Sequence, residues 1–263
     1  MTEPARYVVA VGSGKGGVGK STVALNLALA LGEKRRVGLL DADLYGPDIP
    51  LMVGVRRGAW RTGWTLAKAG GPEAQPRFAP EERFGIRIAS AGFIIGEDQP
   101  LGFDPRTAEI FVRQLLNNVT WGDLDVLVID LPPGTSAVQH LLAKAVALSG
   151  AILVVTPQDV AHLDARKSVQ LLRSLRVRIL GGVENMASLT CPHCGGAIPL
   201  GEVAAGRSIW DMDVRRLATL PFVVGQGTAT DSGRPLMVDQ PESALAAAYR
   251  VLADRVWEAL AAG

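Results

Sequence analysis

The stretch Gly14-Lys15-Gly16-Gly17-Val18-Gly19-Lys20-Ser21-Thr22 decides the fold of this chain. It contains the pattern G-x-x-x-x-G-K-[ST], and it joins an apolar, β-branched run at residues 7–12 to a helix-period segment at residues 20–31. In this context the glycines allow successive backbone N–H groups to point inward at phosphate oxygens, and the helix adds its positive N-terminal end. The stretch therefore predicts a strand, a phosphate-binding loop and a helix.

Two side chains of this loop have a predicted part in binding a nucleotide. Lys20 is expected to neutralise the β and γ phosphates of ATP, and Ser21 to offer its hydroxyl to Mg²⁺, which prefers a few protein oxygens together with phosphates and waters. The rest of the loop, with Thr22, is expected to contact the nucleotide. Lys15 stands apart, because such a loop does not itself need a second lysine; taken alone, it would be a solvated side chain.

The rest of the chain alternates strand-like and helix-like segments. Apolar, β-branched runs bounded by turn residues predict further strands at residues 37–41, 86–91, 124–130, 151–156, 177–184 and 216–221. Helical spacing predicts helices at residues 106–117, 138–148, 159–175 and 241–262. This alternation predicts a single α/β domain over residues 1–263, with a doubly wound, mainly parallel sheet covered by helices on both faces. In such a sheet, ligands bind beyond the carboxyl ends of the strands.

Composition and charge narrow the class of protein. Apolar residues make up 48% and charged residues 20%, values typical of an ordered globular chain. The net charge of +1 comes from interspersed acids and bases, so no single-sign field favours nucleic acid or a membrane surface. The first apolar segment is too short for a signal peptide or a transmembrane helix, which predicts a cytoplasmic protein. The helix predicted at residues 241–262 mixes both charges on its polar face, so it is expected to pack on the domain rather than lie on a membrane.

Three aspartates lie where predicted strands end. Asp41 closes the run at residues 37–41, Asp43 follows it two residues later, and Asp130 closes the run at residues 124–130. Parallel strands would bring these carboxylates to one edge of the sheet, where Mg²⁺ is expected, since a buried strand seldom ends on an acid without a partner. Asp130 is interpreted as the acid that holds a Mg²⁺-bound water. Asp41 could instead cap a helix or a turn.

Several short motifs follow one another along the chain. They are Asp41-Ala-Asp-Leu-Tyr-Gly-Pro-Asp-Ile-Pro50, Asp130-Leu-Pro-Pro-Gly-Thr135, Thr156-Pro-Gln-Asp159, Asp164-Ala-Arg-Lys167, Glu184-Asn-Met186, Cys191-Pro-His-Cys-Gly195 and Asp231-Ser-Gly-Arg-Pro235. Together with the loop Lys15-Gly-Gly-Val-Gly-Lys-Ser21, this series resembles the Mrp/ApbC family of iron–sulfur carrier ATPases over nearly the whole chain. That family is part of the deviant Walker A, MinD/ParA-like group of P-loop NTPases. The resemblance implies the P-loop NTPase fold and a homodimer that sandwiches ATP.

The resemblance also implies roles for single residues. It implies that Lys15 crosses the dimer interface and stabilises transition-state charge on the partner's nucleotide. It implies that Asp43 orients the attacking water, with Asp41 nearer the metal. It places Asn185 at the adenine, whose N6 and N7 edge an amide can match, although a buried asparagine satisfied by backbone is the alternative. Pro221 is expected close to the adenine as well.

The two cysteines of the chain form the pair Cys191-Pro-His-Cys194. On spacing alone, the pair could be half of a zinc site, a redox pair or half of an iron–sulfur site. It lies in one of two predicted long loops, an insertion at about residues 190–206; the other loop spans residues 54–83. Zinc and iron–sulfur sites usually need four ligands, and one chain supplies two thiolates. His193, between the cysteines, is expected to be a solvated loop residue.

These features together predict a slow ATPase that carries a 4Fe–4S cluster, bridged by Cys191 and Cys194 of two chains, and transfers it to apo iron–sulfur proteins. The alternatives are a ParA/MinD-type positioning ATPase, which would need a basic stripe or a cationic terminal helix, and a zinc-bridged interaction protein regulated by ATP. The chain departs from the family pattern at residues 103–106 and at Ser136-Ala137, which leaves the rate of hydrolysis open. The extra N-terminal domain of some relatives is not expected here.

Overall fold

The computed structural model of the protein describes residues 4–56, 58, 78–94, 105–134, 146–191 and 193–262. Most of the helix predicted at residues 138–148, and most of the loop predicted at residues 54–83, lies outside the described residues. The same holds for Phe103 and for the Ser136-Ala137 pair.

An eight-stranded sheet forms the centre of the described structure. In chain order, its strands are β1 Tyr7–Ser13, β2 Val37–Asp41, β3 Glu81–Arg83, β4 Ile86–Ser90, β5 Val126–Asp130, β6 Gly150–Val155, β7 Ile179–Glu184 and β10 Arg216–Thr219. In space they run β10-β7-β6-β1-β5-β2-β4-β3, and every pair is parallel except β3 with β4. β8 Ser188–Thr190 and β9 Ala197–Pro199 form a separate antiparallel hairpin. The predicted mainly parallel sheet is confirmed.

Three short strands, β3, β8 and β9, were not predicted from the sequence. β3 and β9 lie inside predicted loops, and β8 lies between a predicted strand and a predicted loop. Edge strand β3 is made of charged residues, and β9 is exposed along its whole length. Neither strand buries an apolar face, so neither has the alternating pattern by which a half-buried strand is recognised. The predicted loops at residues 54–83 and 190–206 are therefore partly ordered as strands.

Helices cover both faces of the large sheet. Within the described residues they are α1 Lys20–Gly32, α2 Ile49–Met52, α3 Pro105–Asn118, α4 Asp159–Ser174, α5 Gln226–Asp231, α6 Leu236–Asp239 and α7 Ala244–Ala261. Because successive strand residues point to opposite faces, Val9 of β1 packs in the apolar cluster of α1 and α7, whereas Val8 packs in the cluster of α3 and α4. Tyr249 of α7 is buried, so the predicted packing of the last helix on the domain is confirmed. Among the described helices, none is both long and apolar enough to cross a membrane.

The register of the strands places three polar residues side by side at one edge of the sheet. Asp130, at the end of β5, pairs with Asp41 at the end of β2, and Asp41 pairs with Ser90 at the end of β4. On the other side of β5, β1 runs directly into the glycine loop. The carboxyl ends of these parallel strands therefore meet where a doubly wound sheet forms its binding site.

Candidate functional site

The phosphate loop has the backbone geometry that its glycines predict. Gly19, directly before α1, has a φ of +80°, in the left-handed region that favours glycine. A Cβ atom on Gly19 would lie 2.3 Å from Nδ2 of Asn185, and one on Gly14 would lie 2.2 Å from the backbone N of Ala165. Only glycine fits these two positions, where the loop passes close to α4 and to the residue that follows β7.

Lys20, the first residue of α1, contacts acidic side chains beneath the loop. Its Nζ donates hydrogen bonds to Oδ1 of Asp130 at 2.7 Å and to the Ser21 hydroxyl at 3.2 Å. Oδ2 of Asp43 lies 3.7 Å from the same Nζ. Lys20 is only 7% exposed and Asp130 is fully buried, so the ion pair between them is shielded from solvent.

One lysine faces three buried carboxylates at this site. Burial raises the pKa of Asp130, against the opposing charge of Lys20. Burial, and after it the charge of Asp130, raises the pKa of Asp41 well above its usual range. Burial also raises the pKa of Asp43, which Lys20 again opposes. The site thus holds an excess of negative charge, which a bound cation would relieve.

Asp130 has a buried oxygen that is available for a cation. Its Oδ2 is buried and has no hydrogen-bond partner among the described residues, which is rare for a buried polar atom. The described His, Cys, Asp and Glu side chains do not converge in threes as a complete metal site. One carboxylate and the nearby Ser21 hydroxyl nevertheless fit Mg²⁺, because this ion takes its other ligands from phosphates and waters.

Asp41 and Asp43 have different surroundings. Oδ1 of Asp41 accepts a hydrogen bond from the backbone N–H of Asp43 at 3.1 Å, and its Oδ2 accepts one from the Ser90 hydroxyl at 2.8 Å. Asp43 lines the cavity beside the loop, and its Oδ1 accepts from the N–H of Gly46 at 3.3 Å. Of these two acids, Asp43 is the one whose side chain faces the cavity.

A cavity of about 530 Å³ opens beside the phosphate loop, a volume suited to a nucleotide-sized ligand. The predicted site residues that line it are Lys15, Gly16, Gly17, Gly19, Lys20, Ser21, Thr22, Asp43, Asn185 and Pro221. Gly14, Val18, Asp41 and Asp130 are not part of its wall, and Val18 is buried in the core instead. The structure therefore gathers most of the predicted nucleotide site around one cavity.

The cavity wall also contains residues that the sequence analysis missed. They include Asp48, Phe222, Gln226 and Tyr249. Phe222 could have been found, because it directly follows Pro221, whereas Tyr249 lies in the predicted last helix, for which only packing on the domain was expected. Asp48 lies within a quoted motif but had no predicted role.

Asn185, directly after β7, connects the loop to the opposite wall of the cavity. Its Nδ2 donates a hydrogen bond to the carbonyl oxygen of Val18 at 2.9 Å, and its backbone N–H donates to the carbonyl of Val155 at 2.7 Å. The residue is 7% exposed. This contact matches the alternative of a buried asparagine that bonds to backbone, and Asn185 also lines the cavity.

Lys15 lies in the cavity wall with its ammonium group near a side chain of its own chain. Its Nζ donates a hydrogen bond to Oε1 of Gln158 at 3.4 Å. The Thr156 hydroxyl donates to the same oxygen, also at 3.4 Å. A contact of 3.4 Å is long for a hydrogen bond, so Lys15 is held weakly.

Cys191 and Cys194 lie in the turn that joins β8 to β9, and both are free thiols. The N–H of Cys191 donates to the carbonyl of Gly196 at 2.8 Å, and the N–H of Gly195 donates back to the carbonyl of Cys191 at 2.9 Å. Hydrogen bonds from the backbone N–H groups of Cys194 and His193 lower the pKa of the Cys191 thiol. Cys194 is exposed, and so is His193, as predicted. The turn thus holds two free thiols, and its backbone N–H groups shift Cys191 towards the thiolate form that metal ligation requires.

The hairpin of β8 and β9, which holds both cysteines in its turn and is called the cysteine hairpin below, is attached directly to the cavity wall. Met186 lines the cavity, and the next residue, Ala187, donates its N–H to the carbonyl of Leu220 at 2.9 Å. The N–H of Phe222, also in the cavity wall, donates to the carbonyl of Ser188 at 2.6 Å. The cavity beside the phosphate loop and the cysteine turn therefore share one hydrogen-bonded stretch of backbone.

The chain is similar to known proteins along nearly its whole length. A family model described as ParA, the NUBPL iron-transfer P-loop NTPase, matches residues 5–257. The chain is 42% identical over 250 residues to the iron-sulfur cluster carrier protein of Pseudomonas fragi, which covers 94% of this chain and 84% of that protein. It is 39% identical over 260 residues to the iron-sulfur cluster transfer protein NUBPL of Mus musculus, which covers 97% of this chain and 77% of that protein.

A solved structure has a similar fold. The nucleotide-binding protein from Archaeoglobus fulgidus, in complex with ADP, superposes with a TM-score of 0.69 at 30% sequence identity. The match covers 91% of this chain and 90% of that chain. The similarity extends over nearly the whole of both chains.

Proposed function

The chain belongs to the family of NUBPL iron-transfer P-loop NTPases, and we propose that it is an ATP-dependent carrier that holds a 4Fe–4S cluster between two copies and transfers it to apo iron–sulfur proteins. The observation that carries this proposal is the turn between β8 and β9, which holds Cys191 and Cys194 as free thiols, with Cys194 exposed and backbone hydrogen bonds that close the turn around them. The names of the relatives, iron-sulfur cluster carrier and transfer proteins, support the nature of the cargo.

The cluster needs more thiolates than one chain contains. A cubane cluster is normally held by four cysteines, and this chain has two. A second copy, related by a two-fold axis, would supply the other two without any further protein. The proposal therefore includes a homodimer in which the two cysteine turns face each other and hold one cluster.

The proposed nucleotide chemistry uses residues of the cavity and of the strand ends behind it. Lys20 would exchange part of its contact with Asp130 for the β and γ phosphates of ATP. Ser21 and Asp130 would hold Mg²⁺, which neutralises phosphate charge when bound. Asp43, in the cavity wall, would orient the attacking water. Asp41 uses both of its oxygens in hydrogen bonds to Asp43 and Ser90, which favours a supporting role over direct contact with the metal.

Lys15 would act on the nucleotide of the partner chain. Its weak contact with Gln158, at 3.4 Å, leaves the ammonium group available to other acceptors. A cation brought to the phosphates from a second chain would stabilise transition-state charge. This role depends on the same homodimer that the cluster requires.

The shared backbone between the cavity and the cysteine hairpin supports coupling of ATP to the cargo. Phe222 lies in the cavity wall and is hydrogen bonded to Ser188, three residues before Cys191. A nucleotide that shifts Phe222 would move the base of the cysteine hairpin. Free thiols that hold a cluster also fit a reducing compartment, so we place the proposed activity in the cytoplasm.

The metal content of the protein tests this proposal. The full chain is purified without oxygen, and its iron, sulfide and zinc are measured together with its visible spectrum. We expect iron and sulfide in equal amounts, and loss of both when Cys191 and Cys194 are replaced by serine. ATP titration of the serine variant serves as the control for folding. Stoichiometric zinc without iron would favour the zinc-bridged alternative, and a cluster that survives in the serine variant would refute the proposed ligands.

A further inference from the structure

Ser90 ends β4 directly behind the nucleotide site but does not line the cavity. Its hydroxyl donates a hydrogen bond to Oδ2 of Asp41 at 2.8 Å and accepts one from the backbone N–H of Gly92 at 3.0 Å. A hydroxyl has a single proton, and here that proton is directed to Asp41 because the N–H of Gly92 approaches the oxygen from another side. Ser90 and Asp41 are both fully buried, so solvent does not compete for either bond.

Asp41 extends this contact to the residue that faces the cavity. With its Oδ2 held by Ser90, the carboxylate is oriented so that Oδ1 accepts the backbone N–H of Asp43 at 3.1 Å. Asp43 then presents its carboxylate in the cavity wall, 3.7 Å from Nζ of Lys20. Hydrogen bonds thus run without a gap from the end of β4 to the backbone of Asp43.

We infer that Ser90 is a positioning residue for ATP hydrolysis: its hydroxyl fixes the orientation of Asp41, and Asp41 holds the backbone from which Asp43 reaches the cavity. This inference rests on the proposed role of Asp43 in turnover. It does not depend on the cluster or on the cysteines.

A purely structural role for Ser90 makes different predictions. Ser90 also caps the short 3₁₀ turn Ala91–Phe93 through the N–H of Gly92. Gly92 in turn lies against Pro47 and Pro50, since a Cβ atom there would be 2.8 Å from Cγ of Pro50. If the hydroxyl served only this turn, its loss would lower stability and leave the turnover of folded protein unchanged.

Steady-state hydrolysis and nucleotide titration of the full chain separate the two roles. For Ser90→Ala we expect kcat to fall about 10- to 100-fold, as for other supporting partners of a reactive group. The ATP Kd and KM should change by less than about twofold, because Ser90 does not touch the cavity. Ser90→Thr keeps the hydroxyl and should restore most of kcat. Ser168→Ala is the matched control, since it removes a buried hydroxyl that has no hydrogen-bond partner among the described residues.

The same replacement in an Asp43→Ala background gives the second test. If Ser90 acts through Asp43, Ser90→Ala should cause no further loss of single-turnover hydrolysis there, because residues that act as a unit are not additive. An equal loss in both backgrounds, or an unchanged kcat in Ser90→Ala, would overturn the inference while leaving the proposed role of Asp43 intact. Wild-type turnover in Asp43→Ala would instead refute the role of Asp43, and the inference with it. Ser90→Cys, which keeps the volume with a weaker donor, replaces Ser90→Ala if the alanine variant fails to fold.

Discussion

Replacement of Lys20 by methionine would leave the buried carboxylates of the site without their cation. Methionine keeps the long apolar stem, so the change removes mainly charge. Nζ of Lys20 lies 2.7 Å from Oδ1 of Asp130, and both side chains are buried; removal of one partner from such a pair costs about 3–5 kcal/mol. Alternatively, Asp130 takes up a proton. At neutral pH this costs up to about 4 kcal/mol, counted from the ordinary carboxyl pKa near 3.9, and less if part of that cost is already present in the wild type, where the pKa of Asp130 is raised. Both routes predict that the free energy of unfolding at neutral pH falls by about 3–4 kcal/mol.

The pH dependence of this loss tests its electrostatic origin. The pKa values of Asp41, Asp43 and Asp130 are raised in the folded chain, and such acids remove stability as the pH rises above their unfolded pKa. Without Lys20, stability should therefore return as the pH falls, by about 1.4 kcal/mol per pH unit for one proton. Wild type should change less over the same range.

Urea unfolding of nucleotide-free protein between about pH 5 and 7 measures both quantities. Lys34→Met is the matched control, because Lys34 pairs with Asp254 on the surface at 3.0 Å and should contribute less than about 1 kcal/mol. A loss in Lys20→Met no larger than in this control, or one that does not vary with pH, would refute the account of the buried charges.

Two further predictions concern nucleotide turnover. Asp43→Ala should bind ATP and lose hydrolysis, because the Asp43 carboxylate lines the cavity without forming part of the phosphate loop. ATP titration measures binding, and phosphate release measures hydrolysis. Unchanged hydrolysis would remove Asp43 from the mechanism. Lys15→Ala should also bind ATP but hydrolyse it poorly, and mixing it with Lys20→Ala chains, which should not bind ATP, should restore some activity. Verified mixed dimers that stay inactive would contradict action across the interface.

The central sheet could be predicted because its strands are buried on both faces. Runs such as the one in β5, Val126–Asp130, are continuously apolar until the final acid, a pattern that parallel strands between two helix layers require. The ends of the strands depend on pairing with a neighbour as well as on the local sequence. The run at residues 177–184 gives a strand only from Ile179, because pairing with β6, rather than side-chain type, sets where the strand starts.

The site could be predicted where it depends on local sequence and was missed where it depends on register. The glycine loop is local, so Lys20 and its surroundings were identified from one motif. The hydrogen bond between Ser90 and Asp41 exists because β4 pairs with β2 in one particular register, and no motif records that pairing. Asn185 was identified, but its bond to Val18 depends on how closely the loop approaches β7.

The amount of iron per chain, measured together with the mass in solution, tests the central claim most directly. The cluster is rebuilt on the purified protein without oxygen, and iron, sulfide and molecular mass are determined on the same sample. The account predicts a dimer with about two irons per chain, because four irons are shared by the cysteine pairs of two chains. Four irons on a monomer would contradict it, since Cys191 and Cys194 of a single chain would then hold a whole cluster.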